Sequence, residues 1–205
     1  MSKKRMLLKP VSFRGIMNGV NRAPFLGALK NILNSVIDSE DAKKTLFCSD
    51  NLITWNRNLT FIRDPYFEKL SRDKERGFQK IIWRTYIVDY FANFASTVKG
   101  DFLEVGCYAG NTASVIAERH DLERLGKRYF LSDLFEWHEG DAHRFLKHHA
   151  ETDLYEKVRS MFADNPAVLI VKGRVPETFV GTLPDKIAFA HIDMNEPTAE
   201  AGAIE

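Results

Sequence analysis

Cysteine is nearly missing from the chain: Cys48 and Cys107 are the only two among 205 residues. They form neither a Cys-x-x-Cys pair nor a repeated spacing, which leaves a disulfide framework or a cysteine zinc site without support and makes reduced thiols the expectation. Long hydrophobic runs are missing too. The early apolar stretches Met6-Leu7-Leu8 and Ile16-Met17 are too short for a secretory core, and no run approaches the length needed to cross a bilayer. A cytoplasmic protein without a membrane segment is expected. Nor is there an excess of one charge: 29 Lys+Arg stand against 28 Asp+Glu, a formal +1, so the global balance points to neither a nucleic-acid binder nor a seeker of acidic surfaces. Internal repeats and low-complexity tracts are absent.

What is present is enough apolar material, 44% of residues with 12% aromatic, for one ordinary domain and an extension. Charge is uneven locally. Lys3, Lys4, Arg5, Lys9, Arg14, Arg22 and Lys30 all precede the first acid, Asp38. Without interleaved aromatic residues this reads as a solvated arm, and nucleic acid is not the expected partner. As far as about Asn58 the pattern is weakly helical, broken by Pro10, Gly15, Gly19, Pro24 and Gly27. From Tyr66 to Val98 apolar residues recur at spacings of three and four, the mark of one or two amphipathic helices. Residues 1–98 are therefore expected to form a helical N-terminal extension and residues 99–205 the main domain.

In that domain strands and helices alternate. Asp101–Val105, Tyr129–Asp133, Ala167–Val171 and Ile187–Asp193 read as strands, Asn111–Arg119 and Asp141–Phe162 as helical. Strands separated by helices of this length pair in parallel through right-handed crossovers, so the fold class is α/β with a mainly parallel, doubly wound sheet.

The first chemical constellation is Glu104-x-Gly106-x-x-x-Gly110, where a strand turns into a helix. A ligand can lie across such a turn if side chains are absent where the backbone approaches; close packing alone also produces Gly-x-x-x-Gly. The spacing is not the Gly-x-Gly-x-x-Gly of a dinucleotide site, and Glu104 offers a carboxylate to an ammonium group, which favours an amino-acid-bearing cofactor. Asp133, at the end of the next strand, can accept both hydroxyls of a ribose, or can be a helix cap. Leu134 and Phe135 follow it, as nucleoside contacts or as core. Asp193 ends the fourth strand at the same sheet edge, as a hard-metal ligand, a general base or a cap. His191 shares its strand face, as a base or as a packed histidine. Trp137 and His138 can line a substrate mouth. The cluster His138, Glu139, Asp141, His143, His148, His149 and Glu151 lacks metal-motif spacing and reads as a solvated helix.

The run Gly100-Asp-Phe-Leu-Glu-Val-Gly-Cys-Tyr-Ala-Gly-Asn-Thr112, with Phe130-Leu-Ser-Asp133, Val171-Lys-Gly173, Pro176-Glu-Thr178 and Ile187-Ala-Phe-Ala-His-Ile-Asp193, resembles the class I methyltransferases of the macrocin O-methyltransferase group. The resemblance covers roughly Trp83 to Glu205. It implies a Rossmann-like domain with S-adenosylmethionine held by Glu104, Gly106, Cys107, Tyr108, Gly110, Asn111 and Thr112. Asp133 and Leu134 would lie at the ribose, and Lys172 and Gly173 near the adenine edge. It also implies a divalent metal, usually magnesium, held in part by Asp193, and methyl transfer to a hydroxyl of a sugar-containing or other small metabolite; Asp193, with His191 added from its place on the same strand face, is the catalytic candidate.

Two departures stand out. Where the family pattern continues with a second aspartate and a tyrosine, this chain reads Asp193-Met-Asn195-Glu-Pro197; and Glu205 falls within the helix expected after the fourth strand, before the family's last strands. A truncated domain that binds ligand or partner without turnover is thus a competing expectation, and an RNA methyltransferase using the basic arm another. A sheet lacking those strands exposes an apolar edge, for which a homodimer or poor solubility is expected.

Overall fold

The computed structural model describes residues 31, 46–49, 52–55, 61, 64–73, 76–78, 81–137 and 153–205. The basic arm and the His138–Glu151 cluster lie outside the described residues. Strands β1 (Leu46–Ser49) and β2 (Leu52–Trp55) form a two-stranded sheet, so the stretch expected to be helical contains strand. The larger compact unit comprises residues 49–52 and 59–205, and it includes the helices that the sequence places in a separate extension.

Helix α1 (Pro65–Ser71) starts as its residues dictate. The Asp64 carboxylate accepts from the Tyr66 amide at 2.8 Å and Pro65 sits in the first turn, where its missing N–H costs nothing. Helix α2 (Ile82–Ala95) buries Ile82, Thr85, Val88, Asp89, Ala92 and Ala95. Val88, Ala92 and Ala95 enter the same apolar cluster as Phe102 and Ile116 of the sheet, so α2 packs into the sheet's core.

Strands β3 (Asp101–Val105), β4 (Tyr129–Asp133), β5 (Val168–Lys172) and β6 (Ile187–Ile192) make one all-parallel sheet in the order β5-β4-β3-β6. Helices α3 (Asn111–Arg119), α4 (Leu154–Met161) and α5 (Pro197–Ile204) complete five helices among the described residues. The expected Asp141–Phe162 helix is described only over α4.

The two central strands are buried on both faces, as continuous apolar runs in parallel sheets are. Alternation sends Phe102, Tyr129 and Leu131 into the cluster with Val88, Ile116 and Val158, and Leu103, Val105 and Phe130 into one with Val175. Phe102 and Tyr129 have no exposed surface, and each such ring contributes about 1.5–3 kcal/mol by burial. On its outer side β6 has no strand partner among the described residues, and Phe91 and Phe94 of α2 stand 55% and 73% exposed. No helix among these residues is long and apolar enough to cross a membrane.

A polar knot ties α1 and α2 to α3. Buried Asp89 accepts from Arg119 Nε at 3.0 Å and meets His120 Nε2 at 3.0 Å. Arg119 also reaches Asp64 at 3.3 Å and lies over the Tyr66 and Phe67 rings. The Tyr66 hydroxyl donates to Glu118 at 2.7 Å, and burial together with this bond pushes its pKa upward. Truncating Asp89 leaves a guanidinium and an imidazole facing a cavity, so Asp89→Ala is expected to cost about 3 kcal/mol in urea unfolding; a loss below about 1 kcal/mol contradicts the knot.

Candidate functional site

The order of strands creates one special place at the sheet's C-terminal edge. From central β3 the chain passes to β4 and β5 on one side, then returns to place β6 on the other. The strand order therefore reverses between β3 and β6, and it is at the C-terminal ends of strands flanking such a switch point that open α/β sheets hold ligands. The loop that follows β3, Gly106 to Gly110, stands at that switch point.

Its conformation explains its composition. Gly106 has φ +88°, Tyr108 +51° and Gly110 +71°. A Cβ on Gly106 would lie 2.3 Å from the Asp193 carbonyl oxygen, because the loop passes directly against the end of β6, where the Asp193 amide donates to Val105 at 2.9 Å. Close backbone packing is thus a sufficient reason for glycine at 106. The Gly106 and Cys107 amides donate to the Ser132 carbonyl at 2.8 and 3.5 Å, and the Gly110 amide to Cys107 at 2.8 Å. Tyr108, half-exposed and in a left-handed conformation costing about 1–2 kcal/mol, is held by its amide donating to Asp133 Oδ2 at 2.7 Å.

Asp133 binds the loop from β4 with one oxygen and accepts the Phe135 amide at 2.9 Å with the other. Each oxygen keeps a second acceptor position, and the side chain is only partly buried. Leu134 beside it is partly buried, whereas Phe135 is core, packed on Tyr155 at 5.4 Å between centroids. Asp133 pairs in register with Lys172, and its carbonyl accepts the Gly173 amide at 3.0 Å. Lys172 pairs with Glu136 and stands 5.3 Å from the Tyr155 ring centroid. Gly173 has φ +148° and a Cβ there would meet Thr178. Asn111 opens α3 and donates its amide to the Arg76 carbonyl at 3.0 Å; Thr112 is partly exposed.

Glu104 departs from expectation. Its side chain is 3% exposed and both oxygens are engaged, one by the Tyr129 hydroxyl and the other by His191 Nδ1 at 3.2 Å. The carboxylate is enclosed in the sheet rather than presented at the switch point, since β3 is central and flanked on both sides. Burial, then Glu104, raises the Tyr129 pKa well above its usual value, so the phenol stays a donor. Cys107 is likewise buried; burial, then Asp133 and Glu104, pushes its pKa up, and its loop contact is through the backbone.

No family model, curated protein or solved structure matches the chain.

His191 lies on β6 beside Glu104, Asp193 and Arg84. Burial alone lowers its pKa, but the Glu104 hydrogen bond and the Glu104 and Asp193 charges outweigh burial and Arg84, so the net shift is upward from 6.5. Protonated His191 then contributes stability that is fully present below the unfolded value and is lost as pH rises through the higher folded value. The stability difference between the wild-type chain and His191→Gln is expected to shrink as pH rises above about 6.5 in urea titrations; a difference that grows with pH contradicts the Glu104–His191 pairing.

Asp193 also departs from expectation. Arg84 Nη1 of α2 donates to its Oδ2, and the Asn195 side-chain amide donates to its Oδ1 at 3.1 Å. Among the described residues no group of three or more His, Cys, Asp or Glu is placed to hold a metal ion. These donors do not fit a magnesium site, because a hard cation needs several oxygen ligands and Asp193 has N–H donors instead. Arg84, Tyr129 and Arg76 are the site residues that sequence reasoning passes over. Only Tyr129, on the strand face that meets Glu104, carried a readable signal.

Proposed function

We propose that the chain binds S-adenosylmethionine at the β3 loop and transfers its methyl group to a hydroxyl of a sugar-containing or other small metabolite, as a class I methyltransferase. The observation that carries this reading is the Tyr108 amide to Asp133 bond, which joins a glycine-bounded loop to a half-open carboxylate beside the sheet's switch point. The nucleoside end fits the residues present: Asp133 retains acceptor positions for ribose hydroxyls, with Leu134, Lys172 and Gly173 around it. The cofactor supplies an already activated methyl. The chain's own residues then act mainly by position: the loop orients the cofactor, and His191, held by Glu104, is the candidate proton acceptor for the hydroxyl in its neutral form. The Glu104 carboxylate acts through His191 in this reading and not on an ammonium group.

Binding without turnover is the second reading, favoured by the engagement of Asp193 with Arg84. Calorimetry with S-adenosylhomocysteine tests the common core of both. Saturable binding is expected for the wild-type chain, about tenfold weaker for Asp133→Asn, equivalent to ~1.4 kcal/mol, and none for Gly106→Arg. Silence from a folded wild-type chain sinks both readings, whereas binding without transfer of a labelled methyl to any hydroxyl acceptor favours the second.

A further inference from the structure

We propose that Arg84 provides, from within the chain, the positive charge that the family resemblance assigns to a divalent metal, so that Asp193 is a guanidinium-bound carboxylate and not a metal ligand. The inference deepens the reading above and rests on it for the identity of the site. Three features of the chain carry it.

The first is the occupancy of Asp193. One carboxylate oxygen accepts from Arg84 and the other from Asn195 at 3.1 Å, so a cation on the positions that remain would lie beside the guanidinium and share its carboxylate. The second is the loop after β6. Where the family pattern has a second acid, Asn195 sits at φ +55°, a conformation asparagine tolerates, and its amide donates to Asp193. A carboxylate there would face Asp193 with like charge; the amide turns the contact into a hydrogen bond. The nearby Glu200 is also committed, since its Oε1 accepts the backbone amides of Met194 and Asn195 at 3.1 and 2.8 Å.

The third is the character of Arg84. Its guanidinium keeps its charge at any working pH, and it comes from α2, which is packed into the sheet's own core. The side chains of Arg84 and Asp193 are 39% and 28% exposed, so the pair is open to solvent on one side. A divalent cation on Asp193 would have to displace a permanent cation or lie against it.

The test uses Mn2+ alone as the probe, with no nucleoside present, so its outcome is separate from that of the cofactor calorimetry. Free Mn2+ is followed by electron paramagnetic resonance in titrations of the full chain and of Asp193→Asn. Coincident isotherms are expected, including any binding elsewhere on the chain. In the wild-type chain the Arg84 guanidinium NMR signal should stay unbroadened through one equivalent of Mn2+. A tenfold or greater loss of Mn2+ affinity in Asp193→Asn, or broadening of the Arg84 signal, overturns the proposal. If Asp193→Asn fails to fold, the Arg84 signal in the wild-type chain decides alone.

Discussion

Gly106→Ala is expected to destabilise the chain by about 3 kcal/mol and to abolish nucleoside binding. Two costs combine. The φ of +88° is left-handed, which costs a residue with a Cβ about 1–2 kcal/mol. The added carbon would also lie 2.3 Å from the Asp193 carbonyl oxygen and 2.8 Å from its carbon. Those are backbone atoms that cannot swing aside, because the Asp193 amide is bonded to Val105 at the end of the β3 and β6 pairing. Overpacking of that kind adds about 1–3 kcal/mol. Gly126→Ala separates the two costs: its φ is +62°, yet nothing lies within 4 Å of an added Cβ, so it should lose only the conformational part, about 1–2 kcal/mol. Urea unfolding of both variants measures the difference, and equal losses would show that the loop does not press against β6.

Glu104→Ala is expected to cost about 3–5 kcal/mol, the range for breaking a buried hydrogen-bonded charge. The Tyr129 hydroxyl, fully buried, would lose its acceptor, and an unsatisfied buried donor alone costs about 1–3 kcal/mol. His191 would lose its orienting partner as well. Glu104→Gln keeps an acceptor for Tyr129 and should lose no more than about 1.5 kcal/mol, while reducing the pH-dependent part of stability that His191 contributes. A cycle with Tyr129→Phe checks the connection: the Glu104→Ala and Tyr129→Phe losses should add up to more than the double variant shows. Strict additivity would mean that the two side chains do not meet.

The core of the sheet was the most legible part of the chain. Asp101–Val105, Asn111–Arg119 and Tyr129–Asp133 are where their residues place them, because strands buried on both faces are short continuous apolar runs and Gly110 marks where α3 opens. The later strands shift by a residue, Ala167–Val171 becoming Val168–Lys172 and Ile187–Asp193 ending at Ile192, since a strand's last residue is decided by neighbours and not by its own pattern. Leu46–Ser49 and Leu52–Trp55 went unread as strands. Asp50-Asn51 between them is turn chemistry, but each strand is only four residues long, too short for a clear alternating pattern. At the site, residue type was readable and partnership was not. Glu104 and Asp193 are carboxylates toward the C-terminal edge of the sheet, yet one is sealed by Tyr129 and His191 and the other is held by Arg84, 109 positions away in sequence. No spacing rule connects residues that far apart; only the packing of α2 against the sheet does.

The central claim, a nucleoside cofactor seated on the β3 loop against Asp133, is tested most directly by amide NMR of the labelled chain titrated with S-adenosylhomocysteine. The expected result is saturable shifts concentrated at Gly106, Tyr108, Asn111, Leu134 and Gly173, with the far sheet edge at Asp101 and Ile187 unmoved. Saturable shifts elsewhere with those five amides silent, or no shifts at all, would contradict it.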